Sequence, residues 1–287
     1  MKKIHLTIHI FPREIDDYEF TINQLKFASQ FITNLHIDAN VILNTNPNII
    51  DWDKSKLPKE YFIKKFKFIN KKLDWVNNLE EEISENYNGY LEKRVENTKL
   101  KGYDAFWWQD VDLIIDDLFL YGVEYALNEI NESKFIISPQ CFKFWDNSWD
   151  VVSFSPNSSI NVDEFDSFSI KQHHYNRDEI SLIKNPQVKF AGGWGTIISN
   201  DLIKEVPFPS NTKGYGREDT LTAIWAIKNK HPQFILNNII FQENRKYLSN
   251  SLYKDLIHVN LDYMKLINEK SLNSFYKLIG LLQNQKI

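Results

Sequence analysis

Two carboxylates one residue apart, Asp110 and Asp112, follow the most apolar stretch of the chain. If a strand continues through them, both side chains point to the same face, because side chains two positions apart on a strand do so. Two unpaired carboxylates on a buried face would repel each other and lose hydration. A divalent cation would resolve this, since Mg²⁺ and Mn²⁺ take oxygen ligands and often keep a substrate diphosphate in their coordination shell. The alternative is that the strand ends near Gln109 and both carboxylates are solvated turn residues.

A second acidic pair, Glu218 and Asp219, follows two closely spaced glycines, Gly214 and Gly216, and opens a predicted helix. Glycine lets the backbone turn tightly and approach a ligand. A carboxylate in such a place can act as a general base that takes the proton of a hydroxyl group. The alternative is an ordinary acidic helix N-terminus.

A third group of residues interrupts a predicted strand with glycines at Gly192, Gly193 and Gly195. Glycines weaken a plain strand but allow the backbone to lie against a ligand, with Trp194 as an apolar wall. A bulge or a bend in the strand is the equally weighted alternative.

Cationic and imidazole side chains could complete a site with these carboxylates. Lys93 and Arg94 precede the aspartates on a predicted helix, where they would face a diphosphate or form an ordinary solvated helix face. His258 could serve as a third metal ligand, although a single histidine is more often structural or exposed.

The elements that must position these residues alternate between strands and helices. This alternation predicts an α/β sandwich with a mostly parallel central sheet. The long polar and aromatic segment 141–186 is typical of an active-site loop or lid, and residues 51–70 are expected to be irregular apart from a short strand at 66–69. Apolar periodicity predicts strands near 4–10, 41–43, 105–115, 135–138, 188–198 and 234–241, and helices near 22–31, 72–101, 116–129, 219–229 and beyond 251.

Composition narrows the function classes. The 287 residues are 43% hydrophobic and 25% charged, which is ordinary for a globular protein. The net charge of -4 disfavours a nucleic-acid partner, and a single cysteine, Cys141, excludes a disulfide framework, a zinc ribbon and an iron–sulfur site. No apolar run approaches the ~20 residues of a membrane span. Residues 1–11 alternate in polarity, unlike a signal peptide, so a cytoplasmic protein is expected.

Taken in order, these motifs resemble the GT-A class of nucleotide-sugar-dependent glycosyltransferases, and most closely its inverting, family-2-like members. The resemblance runs from about 4 to 245. It includes the first strand with Pro12 and a basic residue, Lys93 or Arg94, on the helix before the D-x-D motif of residues 110–112. It also includes the glycine–aromatic–glycine–x–Glu–Asp box over 214–219. It implies a GT-A domain over 1–245, with 141–186 as the loop or lid, and a helical C-terminal tail over 246–287 packed on that domain.

The resemblance also implies an activity and roles for the residues. A metal-dependent hexosyltransferase of polysaccharide biosynthesis would move a sugar from a nucleotide-sugar donor, with a UDP-sugar favoured, to a hydroxyl of a glycan or lipid-linked saccharide. One displacement would invert the anomeric configuration, and the metal would neutralise the leaving diphosphate. The implied roles are catalytic base for Asp219; acceptor binding for Glu218, Trp194 and Gly193; donor binding for Phe11, Pro12, Arg94, Asp110 and Val111; and binding of Mn²⁺ or Mg²⁺ for Asp110, Asp112 and His258.

Four other functions are compatible with parts of the sequence. A nucleotidyl- or phosphotransferase would normally carry a glycine-rich phosphate loop after the first strand, and residues 11–14 contain no glycine. A glycoside hydrolase would use paired carboxylates but leaves the D-x-D unexplained. A retaining transferase shares the D-x-D, but the Glu-Asp box favours inversion. A non-catalytic carbohydrate-binding protein or degenerate transferase fits the 14% aromatic content.

The C-terminal tail could serve a further purpose. Its amphipathic pattern predicts packing on the domain or on a second subunit, as in a homo-oligomer. Peripheral contact with a membrane is the alternative.

Overall fold

The computed structural model describes residues 1–52, 56–142, 177–185, 193–214, 217–243, 269 and 273–282. The strands within these ranges are β1 (Lys2–Ile10), β2 (Leu35–Asn44), β3 (Asn78–Ser84), β4 (Ala105–Gln109), β5 (Leu113–Ile114), β6 (Ile136–Phe142), β7 (Ser181–Asn185), β8 (Trp194–Ser199) and β9 (Gln233–Glu243). The helices are α1 (Ile15–Ala28), α2 (Lys59–Asn70), α3 (Leu91–Asn97), α4 (Phe119–Glu129), α5 (Asn200–Ile203), α6 (Glu218–Lys228) and α7 (273–282).

The described strands form one mixed sheet in the order β3-β2-β1-β4-β8-β6-β9-β5, with β7 also paired to β9. Strands β1 to β4 are mutually parallel, and β6 and β9 run the same way, whereas β5, β7 and β8 run antiparallel to their neighbours. The predicted α/β fold with a mostly parallel sheet is therefore confirmed. In such sheets, ligands bind beyond the carboxyl ends of the parallel strands.

Helices cover both faces of this sheet. On one face, α1, α2 and α4 bury their apolar sides against β1 and β2. The strand side chains that face these helices are Ile4, Leu6, Ile8 and Ile10 of β1 and Leu35, Ile37, Ala39, Val41 and Leu43 of β2. On the other face, α3, α6 and α7 enclose a second apolar cluster with β4 and β8. This arrangement fixes α3 and α6 next to each other, over the ends of β4 and β8.

A layer of buried polar side chains separates α3 from the sheet. His5, Thr7 and His9 alternate with apolar residues along β1, and all three are buried. The Nδ2 of Asn97 on α3 donates to Thr7 Oγ1 (2.9 Å) and to Asn40 Oδ1 (3.2 Å). These directional bonds fix the position of α3 more narrowly than apolar packing alone would.

The long helix predicted over 72–101 is wrong. Its middle is strand β3, which pairs in parallel with β2 along its whole length, and α3 is confined to Leu91–Asn97. Pairing with a neighbouring strand outweighs the helical preference of the glutamates in this segment. Glu80 and Glu81 are exposed on this edge strand, where charge discourages pairing with another chain.

Two further predictions are corrected. Residues 51–70 are not irregular with a strand at 66–69, because α2 occupies Lys59–Asn70 and buries Phe62, Phe66 and Ile69 on one helical face. The strand predicted over 105–115 ends at Gln109, so the two aspartates lie in the loop before β5 and not on a shared strand face. The alternative of a strand ending there is the correct one.

The segment 141–186 and the tail are described in part. Within the predicted loop or lid, Ser181–Asn185 forms β7, and residues 143–176 lie outside the described ranges. In the tail, α7 buries Phe275, Ile279 and Leu282 against the domain. Within the described residues, the structure contains no helix long and apolar enough to cross a membrane.

Candidate functional site

Arg94 joins the two acidic motifs that the sequence places 108 positions apart. Its guanidinium forms an ion pair with Asp110, through Nη2, and with Glu218, through Nη1 at 2.9 Å from Oε1. Arg94 is supplied by α3, Asp110 by the loop that follows β4, and Glu218 by the first turn of α6. Three separate elements therefore converge at the carboxyl end of β4.

Two of the three side chains of this ion-pair cluster are shielded from water. The side chains of Arg94 and Glu218 are only 5% and 4% exposed, whereas that of Asp110 is 29% exposed. Burial alone would lower the pKa of Arg94, but the charges of Asp110 and Glu218 outweigh it and raise the pKa above its ordinary value. A guanidinium suits this place because its fork binds two carboxylates at once. The cluster is therefore a rigid, permanently charged junction.

Asp219 lies beside this junction and has a perturbed acidity. It is half-buried, and its Oδ1 accepts the backbone N–H of Thr220 at 2.6 Å. Burial raises the pKa of Asp219 well above its ordinary value and the neighbouring Glu218 raises it further, while the Thr220 N–H and the charge of Arg94 act in the opposite direction. A raised pKa makes a carboxylate a stronger base, which is a property of groups that take protons in active sites.

Gly193 leaves the space that the Asp110 carboxylate occupies. The backbone N–H of Asp110 donates to the Gly193 carbonyl at 2.7 Å. A Cβ at position 193 would lie 2.5 Å from both carboxylate oxygens of Asp110, closer than real contacts allow. The glycine therefore leaves room for the Asp110 carboxylate in this loop.

Helix α1 holds the loop of the two aspartates in place. Thr21, which is fully buried, donates through Oγ1 to the carbonyl of Val111 at 3.0 Å. Gln24 anchors β5, which follows this loop: its Nε2 donates to the Leu113 carbonyl at 3.2 Å, and its Oε1 accepts the N–H of Ile115, the residue after β5, at 2.8 Å. Side chains thus replace the backbone pairing that the loop lost when β4 ended.

The start of α3 forms hydrogen bonds with the loop that precedes the Glu218-Asp219 pair. The carboxylate of Glu92 accepts the backbone N–H groups of Asn88 (2.7 Å), Gly89 (3.1 Å) and Gly214 (3.4 Å). The N–H of Leu91 donates to the Gly214 carbonyl at 3.2 Å. Gly89 touches this loop so closely that a Cβ there would lie 2.3 Å from the Gly214 carbonyl carbon. The same short helix therefore positions both acidic motifs.

Aromatic rings surround a buried histidine at the end of β1. The His9 ring lies 5.2 Å from the ring of Tyr90 and 5.8 Å from those of Phe11 and Tyr87, between ring centroids. Burial, together with the charges of nearby cations, lowers the pKa of His9 to about 3, so the imidazole is neutral. Glu14 ties the following turn together, because its Oε2 accepts the Phe11 N–H at 2.8 Å and its Oε1 accepts the Tyr90 hydroxyl.

Asparagines stand where the resembled family often carries an acidic pair after its second strand. Asn44 and Asn46 both donate through Nδ2 to the Tyr87 carbonyl, at 3.0 and 3.1 Å, and the Asn46 N–H donates to Asn44 Oδ1 at 3.0 Å. These contacts join the loops that follow β2 and β3. Both asparagines are buried, so their amides act within the protein.

The structure brings some of the predicted site residues together and not others. Arg94, Asp110, Gly193, Glu218 and Asp219 come together. Phe11 and Pro12 are buried at the neighbouring end of β1, and Val111 and Trp194 are buried in the core, at 4% and 6% exposure. Asp112 follows in the same loop as Asp110, and His258 lies outside the described residues.

The described residues contain no cluster of three histidine, cysteine, aspartate or glutamate side chains arranged to hold a metal ion. Asp110 and Asp112 offer carboxylate oxygens of the kind that Mg²⁺ and Mn²⁺ prefer, but Asp110 is already paired with Arg94. These two residues are thus a partial ligand set.

Sequence reasoning missed Gly89 and Glu92, which the predicted long helix concealed. The signal was present in the turn-forming residues 86–89, Asn-Tyr-Asn-Gly, which favour a loop between two elements. Reading that turn would have separated β3 from α3.

Comparison with solved structures shows that the fold of this chain is similar to that of a known protein, TarS of Staphylococcus aureus. The crystal structure of Staphylococcus aureus TarS superposes with a TM-score of 0.52 and 14% identity, covering 89% of this chain and 38% of that chain. TarS 1-349 gives a TM-score of 0.51 at 13% identity, and its complex with UDP-GlcNAc gives 0.50 at 14%, each covering 89% of this chain and 64% of that one. The chain thus spans less than two thirds of these proteins. No family model and no curated protein matches it.

Proposed function

We propose that this protein is a glycosyltransferase that moves a sugar from a nucleotide-sugar donor to a hydroxyl group of a saccharide acceptor. The observation that carries this proposal is the Arg94 junction, which brings the Asp110 loop and the Glu218-Asp219 pair to one edge of a GT-A-like sheet. The UDP-GlcNAc bound to a structure of the same fold supports a UDP-sugar donor.

In the proposed reaction, Asp219 is the general base. It takes the proton of the acceptor hydroxyl while the acceptor oxygen bonds to the anomeric carbon and the bond from that carbon to the nucleoside diphosphate breaks. One such displacement inverts the anomeric configuration. The raised pKa of Asp219 supports this role, because a raised pKa makes a carboxylate a stronger base. Glu218, held by Arg94, keeps Asp219 in place and contributes to its basicity.

The proposal includes a divalent cation, Mn²⁺ or Mg²⁺. Asp110 and Asp112 would hold it, with His258 as the further ligand expected from the resemblance. When bound, such a cation neutralises charge on a leaving diphosphate. The protein's own part at this end is to hold the loop of the two aspartates, through Thr21 and Gln24, in a fixed position beyond β4.

The experiment is sugar transfer and donor hydrolysis by the Asp219→Asn variant, measured with UDP-, GDP-, CMP- and dTDP-sugars. We expect turnover to fall about 10²- to 10⁴-fold, the usual contribution of a general base, with nucleotide affinity unchanged. Asp201→Asn, an exposed aspartate in the first turn of α5, is the matched control and should retain full activity.

Two results would contradict this assignment. If Asp219→Asn keeps near-normal turnover, Asp219 is not the base. If the wild-type protein binds glycans but neither binds nor hydrolyses any nucleotide-sugar, the non-catalytic carbohydrate-binding function replaces the transferase.

A further inference from the structure

The outward face of α2 combines exposed apolar side chains with lysines. Leu57, Tyr61 and Phe68 are 43%, 42% and 59% exposed. Exposed lysines stand among them at Lys56, Lys64, Lys67 and Lys71, and Glu60 is the single acidic side chain of this face in the described residues. We call these residues the α2 outer face.

The spacing places these side chains in one row. Within α2, positions 61, 64 and 68 recur in steps of three and four, which is the repeat of one helical face, and Leu57 and Lys71 flank the two ends of the helix. The opposite face of α2 is fully used by the protein, since Phe62, Phe66 and Ile69 are buried in the core. The outer face is therefore a second face, not a continuation of the core.

Charges flanking this face are neutralised, whereas those at its centre are not. Lys59 pairs with Glu85, Lys65 with Asp16, and Lys72 with Glu19. By contrast, Lys64, Lys67 and Lys71 form no ion pair with any described residue. The protein thus has a net charge of -4 but presents a locally cationic face.

We propose that the α2 outer face docks onto an anionic lipid bilayer. Aromatic and leucine side chains enter the headgroup boundary of a bilayer, and lysines beside them bind the lipid phosphates. A protein partner fits this face less well, because lysine is depleted in the cores of protein interfaces. A nucleic acid would bind the lysines but leave Phe68 and Leu57 without an apolar environment.

This docking would orient the candidate site. The Lys59–Glu85 ion pair places the start of α2 beside the end of β3. This is the edge of the sheet formed by the carboxyl ends of the parallel strands, where the site lies. With α2 flat on a bilayer, that edge opens along the membrane surface. In α7, Phe275, Ile279 and Leu282 are packed in the domain core, and the exposed Tyr276 and Leu281 have one exposed lysine of this helix, Lys277, beside them. The proposal is independent of the transferase reaction.

The test is co-sedimentation of the full chain with vesicles of phosphatidylcholine, with and without phosphatidylglycerol. We expect binding only to the anionic vesicles, with affinity falling as salt is raised. Each lysine near an anionic surface contributes about fivefold to binding, so changing Lys64, Lys67 and Lys71 together to Gln should lower the partition coefficient about 100-fold. The Phe68→Ser variant should lower it about tenfold by removing the inserted ring.

The matched control changes three exposed lysines away from α2 to Gln, namely Lys99, Lys101 and Lys204. It alters the net charge by the same amount, so the proposal predicts less than a twofold loss of binding. Absence of binding by the wild-type chain to anionic vesicles would overturn the proposal. An equal loss of vesicle binding in the control variant would also overturn it. So would full vesicle binding by Phe68→Ser if the protein also binds DNA as tightly as it binds vesicles.

Discussion

Replacing Arg94 with methionine tests whether the junction holds the site together. The substitution retains an unbranched side chain of similar length but removes the charge between Asp110 and Glu218. Breaking a buried ion pair by removing one partner typically costs about 3–5 kcal/mol. Asp110 is partly exposed and can recover hydration, so most of the cost comes from Glu218. We therefore expect a loss near the lower limit, about 3 kcal/mol, at pH 7.5.

The loss should depend on pH in a defined direction. Without Arg94, Glu218 has no compensating cation, and Asp219 loses a positive charge that lowers its pKa, so the pKa of Asp219, which burial and Glu218 already raise, rises further. A carboxyl group whose pKa is raised in the folded state destabilises that state at high pH, where the group is charged. It no longer does so at low pH, where the group is protonated. The difference between the wild-type protein and the variant should therefore shrink by at least ~1 kcal/mol between pH 7.5 and pH 5.

The assay is urea unfolding at both pH values, with Lys93→Met as the matched control. Lys93 is the adjacent residue on α3 and is also buried, but its partners Glu82 and Glu96 are 26% and 56% exposed. Those carboxylates recover their hydration, so we expect a cost of only about 1 kcal/mol. An Arg94→Met cost below ~1 kcal/mol, a cost equal to that of the control, or a pH-independent difference would refute the reasoning.

Three further variants test how Gly89 and Glu92 hold the loop before Glu218 and whether the buried His9 imidazole is neutral. Gly89→Ala places a methyl group 2.3 Å from the Gly214 carbonyl carbon and must displace that loop; steady-state kinetics should show kcat at least tenfold lower with nucleotide affinity retained, and an unchanged kcat would contradict the role. Glu92→Ala removes the acceptor of three partly buried backbone N–H groups and should cost about 1–3 kcal/mol in urea unfolding, against less than 0.5 for the exposed Glu96→Ala; equal costs would contradict the role of Glu92. The lowered pKa of His9 means that its contribution to stability, complete above pH 6.5, is lost as pH falls. His9→Leu should therefore lose about 2 kcal/mol less than the wild-type protein between pH 7.5 and pH 5, and an equal loss in both would show that His9 is not held neutral.

The parallel sheet could be predicted from the sequence because its strands carry local signals. The apolar run at 105–109 and the alternation of polar and apolar residues at 4–10 are typical of strands, and the acidic motifs stand directly after a strand or at the start of a helix. A site beyond β4 could be expected because ligands of such sheets bind at the carboxyl ends of the strands.

The parts that could not be predicted depend on contacts between distant residues. The Arg94–Glu218 ion pair joins positions 124 apart, and no local pattern indicates it. Strand β3 contains glutamates that favour helix, and only pairing with β2 makes it a strand. The residue type of Trp194 and its glycine neighbours indicate a side chain that lines a ligand site, yet the fold places its ring in the core.

The most direct test of the proposed transferase is nucleotide binding measured by thermal shift, with UDP, GDP, CMP and dTDP, each with and without Mn²⁺. A ligand present at 100 times its dissociation constant stabilises the folded state by about 2.7 kcal/mol, which is readily measured. We predict that one nucleotide, with UDP favoured, stabilises the protein and that Asp112→Ala removes the Mn²⁺-dependent part of the shift. The absence of a shift with every nucleotide would contradict the assignment of this site to a nucleotide-sugar donor.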